Sequence, residues 1–292
     1  MSLSDNMKGA ILMSGSMAGF TFNDVCMKAL AGDLPLSQAV FLRGIITCAL
    51  LYGLGVALGA MNFKLGRREW TLVILRSIAE AGATYCFLTA LFNMPIANVT
   101  AVLQVLPLTV TLAAWVFISE PLGWRRLTAI LGGFVGVLLI IQPGGDGFSV
   151  WSIYALIAVV FITFRDLIVR KMSPTTPSMT VAFVAAAFIT LSFGAASAGV
   201  EWAPITPSSV LVLCAAAVFV FMGYLFAVMV MRVGNIGFIA PFRYTGLVWA
   251  LILGLVVFGE WPDSLTFIGA GIVVAMGMFT LFRERQMARR QA

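Results

Sequence analysis

The sequence of this chain has no histidine, and only 10% of its 292 residues are charged. Without histidine the chain cannot build imidazole-ligated metal sites or the Ser-His and Cys-His nucleophile pairs of many hydrolases. No Gly-Lys dipeptide occurs either, so the phosphate-binding loop of ATP-driven pumps is missing. These absences argue against a metalloenzyme, a hydrolase and an ATPase, and we expect no metal and no cofactor.

Hydrophobic residues make up 61% of the chain, well above the roughly half that is usual in soluble domains. They fall into blocks of roughly twenty residues, the length that crosses about 30 Å of hydrocarbon as a helix. The breaks between blocks are too short for a domain outside the bilayer. The sequence therefore predicts an all-α membrane protein with ten transmembrane helices, at residues 7–30, 36–60, 70–92, 96–118, 125–142, 149–170, 177–198, 208–232, 236–258 and 264–282.

Basic residues lie on alternate loops, and acidic residues lie on the loops between them. By the positive-inside rule, this pattern predicts a multi-pass protein of the cytoplasmic (inner) membrane with both termini in the cytoplasm. It also accounts for the net charge of +6 without a nucleic-acid partner. The basic positions are Lys8, Lys64, Arg67, Arg68, Arg125, Arg126, Arg170, Lys171, Arg232, Arg283, Arg285, Arg289 and Arg290, and the opposite positions are Asp33, Asp146, Glu201, Glu260 and Asp263, with Lys28 nearby.

The chain matches itself at an offset of roughly 140 residues, and polar residues recur in register. Any two apolar helices look alike, so chance is the alternative explanation. Five predicted helices in each half mean that the second half enters the membrane in the opposite sense, as in inverted-repeat transporters. We therefore expect two five-helix repeats, residues 1–142 and 143–292. The matching segments are 21–28 with 163–170, Tyr85-Cys86-Phe87 with Tyr224-Leu225-Phe226, and Glu120-Pro121 with Glu260-Trp261-Pro262.

Several motifs resemble the drug/metabolite transporter superfamily, and specifically its EamA repeats. They are Phe22-Asn23-Asp24 with Lys28, Leu34-Pro35-Leu36, Phe41-Leu42-Arg43-Gly44, and the Glu-Pro and Glu-Trp-Pro turns at Glu120 and Glu260. Within the superfamily the chain is most similar to the YddG-type aromatic amino-acid exporters. The resemblance implies an alternating-access secondary transporter that exports small metabolites, with amino acids favoured.

Carriers of riboflavin or other metabolites with the same repeats are the alternative that the resemblance leaves open. An intramembrane enzyme is less favoured because the acidic residues are scattered singly, and a channel is less favoured because the helices are so apolar. The expected partners are a small-molecule substrate and membrane lipids. Since two halves in one chain need no further subunit, we expect a functional monomer.

Polar and aromatic residues predicted at mid-membrane are the candidates for the wall of a substrate cavity. Hydroxyl, amide and guanidinium groups could hold the polar end of an amino acid, while aromatic rings pack on its side chain. Ordinary packing between helices is the alternative for each residue except Arg243, whose long side chain could instead extend to the interface. The candidates are Tyr85, Gln104, Tyr224, Arg243, Tyr244 and Trp249.

Ionisable residues inside the helices cost about 2.5–3.5 kcal/mol each at the bilayer centre unless they find partners. Helical i, i+4 spacing predicts three ion pairs, Arg76 with Glu80, Asp24 with Lys28, and Asp166 with Arg170. They are candidates for coupling or gating. The alternative is a structural pair facing the bundle interior for Arg76 with Glu80, and anchoring of helix ends at the interface for the other two pairs. Arg43 either holds a substrate carboxylate or extends to the interface. The coupling and gating candidates are Asp24, Lys28, Arg43, Arg76, Glu80 and Asp166.

Glycines and one proline carry the remaining structural expectations. The pairs Gly15-x3-Gly19, Gly55-x3-Gly59 and Gly132-x3-Gly136 predict close helix packing. Pro107 lies inside the fourth predicted helix and removes one backbone hydrogen bond, so we expect a kink that exposes carbonyl groups to a cavity.

Overall fold

The computed structural model describes residues 5–119, 122–144, 148–230 and 236–291, apart from the side chains at 228, 236, 237 and 284–291. Every regular element within these ranges is helical. The elements are α1 Asp5–Ala29, α2 Leu36–Ala57, α3 Arg67–Asn93, α4 Ile96–Leu103, α5 Leu106–Ile118, α6 Trp124–Ile141, α7 Trp151–Arg170, α8 Ser178–Ser197, α9 Pro207–Val230, α10 Ile236–Ile239, a 3-10 helix Ala240–Tyr244, α11 Thr245–Phe258 and α12 Ser264–Gln291.

These elements make ten membrane crossings, because α4 with α5 and α10 with the 3-10 helix and α11 each form one broken crossing. Nine crossings in the described part of the chain are long and apolar enough to span a bilayer by length and composition. The tenth is α1, a continuous helix of 25 residues in which the polar residues Asn23 and Asp24 interrupt the apolar sequence. The prediction of ten transmembrane helices is confirmed.

The outer surface of the bundle is apolar, as a lipid environment requires. Leu191 and Leu211 are each 71% exposed and Val256 is 74% exposed. In water such a surface would be an aggregation site, whereas in hydrocarbon it needs no cover.

The two halves pack as inverted copies of each other. Helix α1 packs most extensively on α9, α3 packs on α7, and α6 with α12 and α2 with α8 meet as equivalent pairs. The close contacts repeat in register: Phe20 lies against Gly223, and Phe161 lies against Gly82. Phe20 and Phe161 are separated in the sequence by the same number of residues as Gly82 and Gly223. The inverted repeat is therefore present in the packing as well as in the sequence.

The contact register differs by two residues from one of the sequence matches. Because Gly82 corresponds to Gly223, Tyr224 corresponds to Ala83 and not to Tyr85. Two residues rotate a helix by about 200°, which turns a side chain to the opposite face. The match at Glu120-Pro121 and the orientation residues Asp146 and Arg232, with the side chains of Arg285, Arg289 and Arg290, lie outside the described residues.

Small residues allow two of the closest helix crossings. A Cβ atom at Gly19 would lie 2.9 Å from the Gly223 backbone nitrogen, and one at Gly136 would lie 2.8 Å from the Gly269 carbonyl oxygen. The packing predictions for these two motifs are confirmed. The Gly55-x3-Gly59 prediction is wrong, because α2 ends at Ala57 and Gly59 adopts a positive φ of 59° in the following turn.

An ion pair lies at the far face of the bundle, defined here as the face opposite the start of α1 and the end of α12. The Lys28 ammonium lies 2.6 Å from Glu260 Oε1 and donates to the Met94 carbonyl oxygen at 2.7 Å. Glu260 Oε2 accepts the Ile96 N–H at 3.1 Å, so the carboxylate also satisfies a free donor at the start of α4. The far-face ion pair (Lys28 and Glu260) thus ties together the ends of α1, α3, α4 and α11.

The predicted pair of Asp24 with Lys28 is therefore wrong. Lys28 lies one turn further along α1, where its long side chain reaches the far face and a buried carbonyl group. Asp24 finds a nearer polar partner, because Asn23 Nδ2 donates to its Oδ1 at 3.0 Å.

We predict that Gly269→Ala destabilises the protein, because its added methyl group would lie 2.5 Å from the Gly136 carbonyl oxygen. Overpacking of this kind costs about 1–3 kcal/mol. Thermal unfolding in detergent should show a clear drop in Tm. The matched control is Gly271→Ala in the same helix, where a Cβ atom has nothing within 4 Å. Equal Tm values for the two variants would contradict the close crossing of α6 and α12.

We predict that Lys28→Met and Glu260→Gln each lower the Tm, since each leaves a partly buried group without its partner, at about 1–3 kcal/mol. The double variant should lose less than the sum of the single losses. The control is Asp5→Asn, because the Asp5–Lys8 side chains are 74% and 49% exposed and exposed pairs contribute about 0–1 kcal/mol. Strictly additive losses at Lys28 and Glu260 would show that the pair does not couple the helices.

Candidate functional site

A cavity of about 230 Å³ lies between the two halves. Its walls are the break between α4 and α5, the end of α7, the 3-10 helix and the last part of α12. Because Arg170 is the last residue of α7, which ends at the face where α1 begins, the cavity lies nearer to that face than to the far-face ion pair. Its polar lining residues are Gln104, Thr111, Asp166, Arg170, Arg243, Tyr244 and Thr280.

Two prolines shape the cavity by breaking its helices. Pro107 has no N–H and cannot donate to the Leu103 carbonyl, so α4 ends at Leu103 and α5 starts at Leu106. Both Leu103 and Pro107 line the cavity, which confirms the predicted kink. Pro241 acts in the same way in the second half, where the chain forms a 3-10 helix. That second break was not predicted, although a proline inside an apolar stretch was its visible signal.

The 3-10 helix brings two polar side chains to the cavity. Arg243 is exposed there and forms no ion pair with any described residue. Tyr244 is only 7% exposed, and its buried hydroxyl has no hydrogen-bond partner within the described part of the chain. The hydroxyl occupies the space that a side chain at Gly277 would fill. The exposed Arg243 guanidinium is a group that a ligand's anionic group can pair with.

Asp166 supplies the negative charge at the opposite wall. Arg165 Nε and Nη2 lie 2.9 Å and 2.8 Å from Asp166 Oδ1, and the second carboxylate oxygen has no bond to a described residue. The predicted pair of Asp166 with Arg170 is wrong, because the guanidinium of the neighbouring Arg165 takes the carboxylate. Arg170 lines the cavity as the last residue of α7.

Arg165 also joins Asp166 to a group of charges on α3. Its Nη1 lies 3.0 Å from Glu80 Oε1, and Arg76 Nη2 lies 3.2 Å from Glu80 Oε2. The predicted Arg76–Glu80 pair is therefore confirmed. Arg165 was missed as a site residue, although it takes the place of Asn23 in the repeated Thr-Phe-x-Asp motif. We call Arg76, Glu80, Arg165 and Asp166 the charged cluster.

Arg43 lies in the bundle interior, close to Tyr224 and Asp24. It donates from Nη1 to Asn23 Oδ1 at 2.9 Å, and Asn23 in turn donates to Asp24. Arg43 therefore neither reaches the interface nor lines the cavity. Instead, it balances the charge of Asp24 through the Asn23 amide.

The structure brings three of the six predicted cavity residues together, namely Gln104, Arg243 and Tyr244. Tyr85 is 50% exposed on the outer surface, where its ring lies 6.4 Å from that of Tyr154. Tyr224 packs edge-to-face on Phe20 beside the charged cluster, and Trp249 lies 6.1 Å from Phe22. Neither of these two residues lines the cavity. Because Tyr85 is two residues out of register with Tyr224, the two tyrosines lie on different faces of their helices.

The described residues contain no group of three or more Cys, Asp or Glu side chains that could hold a metal ion. What the cavity offers is a cationic wall at Arg243, and a carboxylate at Asp166 with Arg170 one turn further along α7. Groups of both signs facing one small space are suited to binding a molecule that carries both charges.

Similar proteins transport different metabolites. The pseudopaline exporter CntI of Pseudomonas aeruginosa is 24% identical over 97% of this chain and 99% of its own length. The S-adenosylmethionine uptake transporter of Rickettsia conorii is 24% identical over 94% of this chain and 93% of its own. The riboflavin transporter of Vibrio cholerae is 27% identical over 68% of this chain and 67% of its own.

The fold has been seen before. One crystal structure matches with a TM-score of 0.65 at 18% sequence identity, covering 96% of this chain and 99% of the other. The model of the EamA-like transporter family matches the sequence twice, at residues 7–142 and 149–282. With ten crossings, two inverted halves and this match over nearly its whole length, the chain belongs to the EamA-like transporter family of membrane transporters.

Proposed function

We propose that this protein exports amino acids, aromatic ones among them, across the cytoplasmic membrane by alternating access. The observation that carries the proposal is the pair of opposed charges in the cavity between the halves. Arg243 and Asp166 are both placed to meet a ligand, and neither is fully used by other residues.

The carboxylate of the substrate binds at the wall formed by the 3-10 helix. Arg243 supplies a guanidinium that has no ion-pair partner among the described residues, and the neighbouring Tyr244 lines the same wall. Charge-assisted hydrogen bonds of this kind contribute about 1.5–3 kcal/mol each. The Gln104 side-chain amide at the helix break adds a further polar contact.

The amine of the substrate binds at the opposite wall. Arg165 holds Asp166 through Oδ1 only, which leaves Oδ2 as an acceptor at the cavity. Leu103, Leu106, Val110 and Leu281 supply the apolar surface against which a large side chain packs.

The conformation described here suits the loading step of export. The far-face ion pair lies on one side, and the cavity lies nearer to the side that carries the basic loops. By the positive-inside rule that side is the cytoplasm, where an exporter takes up its substrate. The inverted halves supply a second arrangement of similar energy, in which the two sides exchange roles. Because both walls come from one chain, the monomer is a complete transport unit.

A riboflavin carrier is the second candidate, favoured by the match to the Vibrio cholerae transporter. Riboflavin has neither an α-amine nor a carboxylate, so it leaves Arg243 and Asp166 without partners. The relative that takes up S-adenosylmethionine carries a molecule with an amino-acid end, which supports the first candidate.

We predict that phenylalanine, tryptophan and threonine raise the Tm of the purified protein, because ligands that bind the folded state stabilise it. Phenethylamine lacks the carboxylate and 3-phenylpropionate lacks the amine, so both should bind more weakly. Arg243→Gln should weaken phenylalanine binding by about tenfold or more, the loss expected for one charge-assisted hydrogen bond.

The matched controls are two tyrosines. Tyr244→Phe should weaken binding, whereas Tyr85→Phe should not, since Tyr85 lies on the outer surface. Counterflow of labelled phenylalanine into proteoliposomes should follow the same order. If no amino acid raises the Tm and none is transported, the proposal is contradicted. Transport of riboflavin alone would favour the second candidate.

A further inference from the structure

Glu80 is a buried acidic residue that the proposed binding site does not use directly. It lies on α3, is 8% exposed, and does not line the cavity. A carboxylate in the membrane interior is costly unless its charge is balanced. Here Arg76 and Arg165 approach its two oxygens separately, at 3.2 Å and 3.0 Å.

Arg165 connects Glu80 to the edge of the cavity. One end of its planar guanidinium contacts Glu80 through Nη1, while Nε and Nη2 both contact Asp166 Oδ1. Because the guanidinium is rigid, the contact at Glu80 fixes the orientation of the groups that hold Asp166. Asp166 is thereby held by one oxygen, and its other oxygen is left for the cavity.

The charges of the cluster also balance. Arg76 and Arg165 contribute two positive charges, and Glu80 and Asp166 contribute two negative charges. If Glu80 lost its charge, the cluster would carry one net positive charge beside the place where a cationic amine binds. Asp166 would then be the one carboxylate of the cluster that balances Arg76 and Arg165. Their positive charges would compete with the substrate amine for it, and in a medium of low dielectric constant that competition is strong.

We propose that Glu80 is a positioning residue that sets the selectivity of the cavity for the substrate amine, acting through Arg165 on Asp166. This inference rests on the proposed function, because it concerns the same cavity. Glu80 touches no substrate. It keeps Arg165 occupied, so that Asp166 presents one carboxylate oxygen to the ligand.

The test compares two ligands that differ in the amine alone. The Kd values of phenylalanine and 3-phenylpropionate are measured by thermal shift or calorimetry on the full chain. The Kd of 3-phenylpropionate divided by the Kd of phenylalanine reports amine selectivity. Glu80→Gln should lower this ratio by about five- to tenfold, the effect of one added positive charge near the amine. Glu80→Asp, which keeps the charge, should retain a larger part of the selectivity.

A matched control lies on the same helix. Glu69 accepts hydrogen bonds from Ser173 N–H at 3.2 Å and from Thr176 Oγ1 at 2.7 Å, outside the charged cluster. Glu69→Gln should therefore leave the ratio unchanged, whatever it does to stability. If Glu80→Gln fails to fold, Arg165→Lys is the second variant. It should lower the ratio, because an ammonium keeps the charge but cannot contact both carboxylates as a planar guanidinium does.

The outcomes separate the two ideas. A wild-type protein that prefers phenylalanine, together with a folded Glu80→Gln variant that keeps the full preference, overturns the role of Glu80 and leaves the proposed function standing. A wild-type ratio near one contradicts amine recognition itself, and the role of Glu80 falls with it. A lower Tm of Glu80→Gln with an unchanged ratio would mean that Glu80 is a structural ion-pair partner only.

Discussion

Charge pairing across the two halves is the constraint on which this structure depends. A charged side chain inside a bilayer is stable only when it meets an opposite charge or water. The first half supplies Glu80 and Lys28, and their partners Arg165 and Glu260 come from the second half. The two halves are therefore joined by one ion pair in the interior and one at the far face, while apolar residues cover the lipid-facing surface.

The same need for pairing explains where the cavity lies. Polar groups that helices cannot satisfy must face water or a ligand, and Pro107 and Pro241 create such groups by breaking the corresponding crossing of each half. The breaks bring Gln104, Arg243 and Tyr244 to one small space. In a membrane protein, irregular backbone of this kind is stable only where it lines a cavity or is covered by protein. The location of the site thus follows from the covalent structure of two prolines.

Local patterns in the sequence were sufficient for much of the fold. Hydrophobic block length predicts the ten crossings, helical spacing predicts the Arg76–Glu80 pair, and Pro107 predicts the first helix break. Each of these depends on residues close together in the chain. The inverted arrangement of the halves followed from an odd number of helices in each repeat, and the paired contacts of Phe20 with Gly223 and Phe161 with Gly82 bear it out.

Contacts between distant segments were beyond local patterns. Spacing alone paired Lys28 with Asp24 and Asp166 with Arg170, whereas the folded chain offers Glu260 and Arg165 as better partners. Tyr85 was placed in the cavity from its predicted depth in the membrane, but depth does not fix the helix face, and its side chain lies on the outer surface. Helical rotation makes site predictions sensitive to an error of even one residue.

The most direct measurement is an experimental structure of the protein with phenylalanine bound. We expect the ligand between the halves, with its carboxylate at the wall of Arg243 and Tyr244 and its amine at Asp166, and with Glu80 still in contact with Arg165. Phenylalanine bound elsewhere, such as beside Tyr85 or Trp249, or held with its amine toward Arg243, would contradict it.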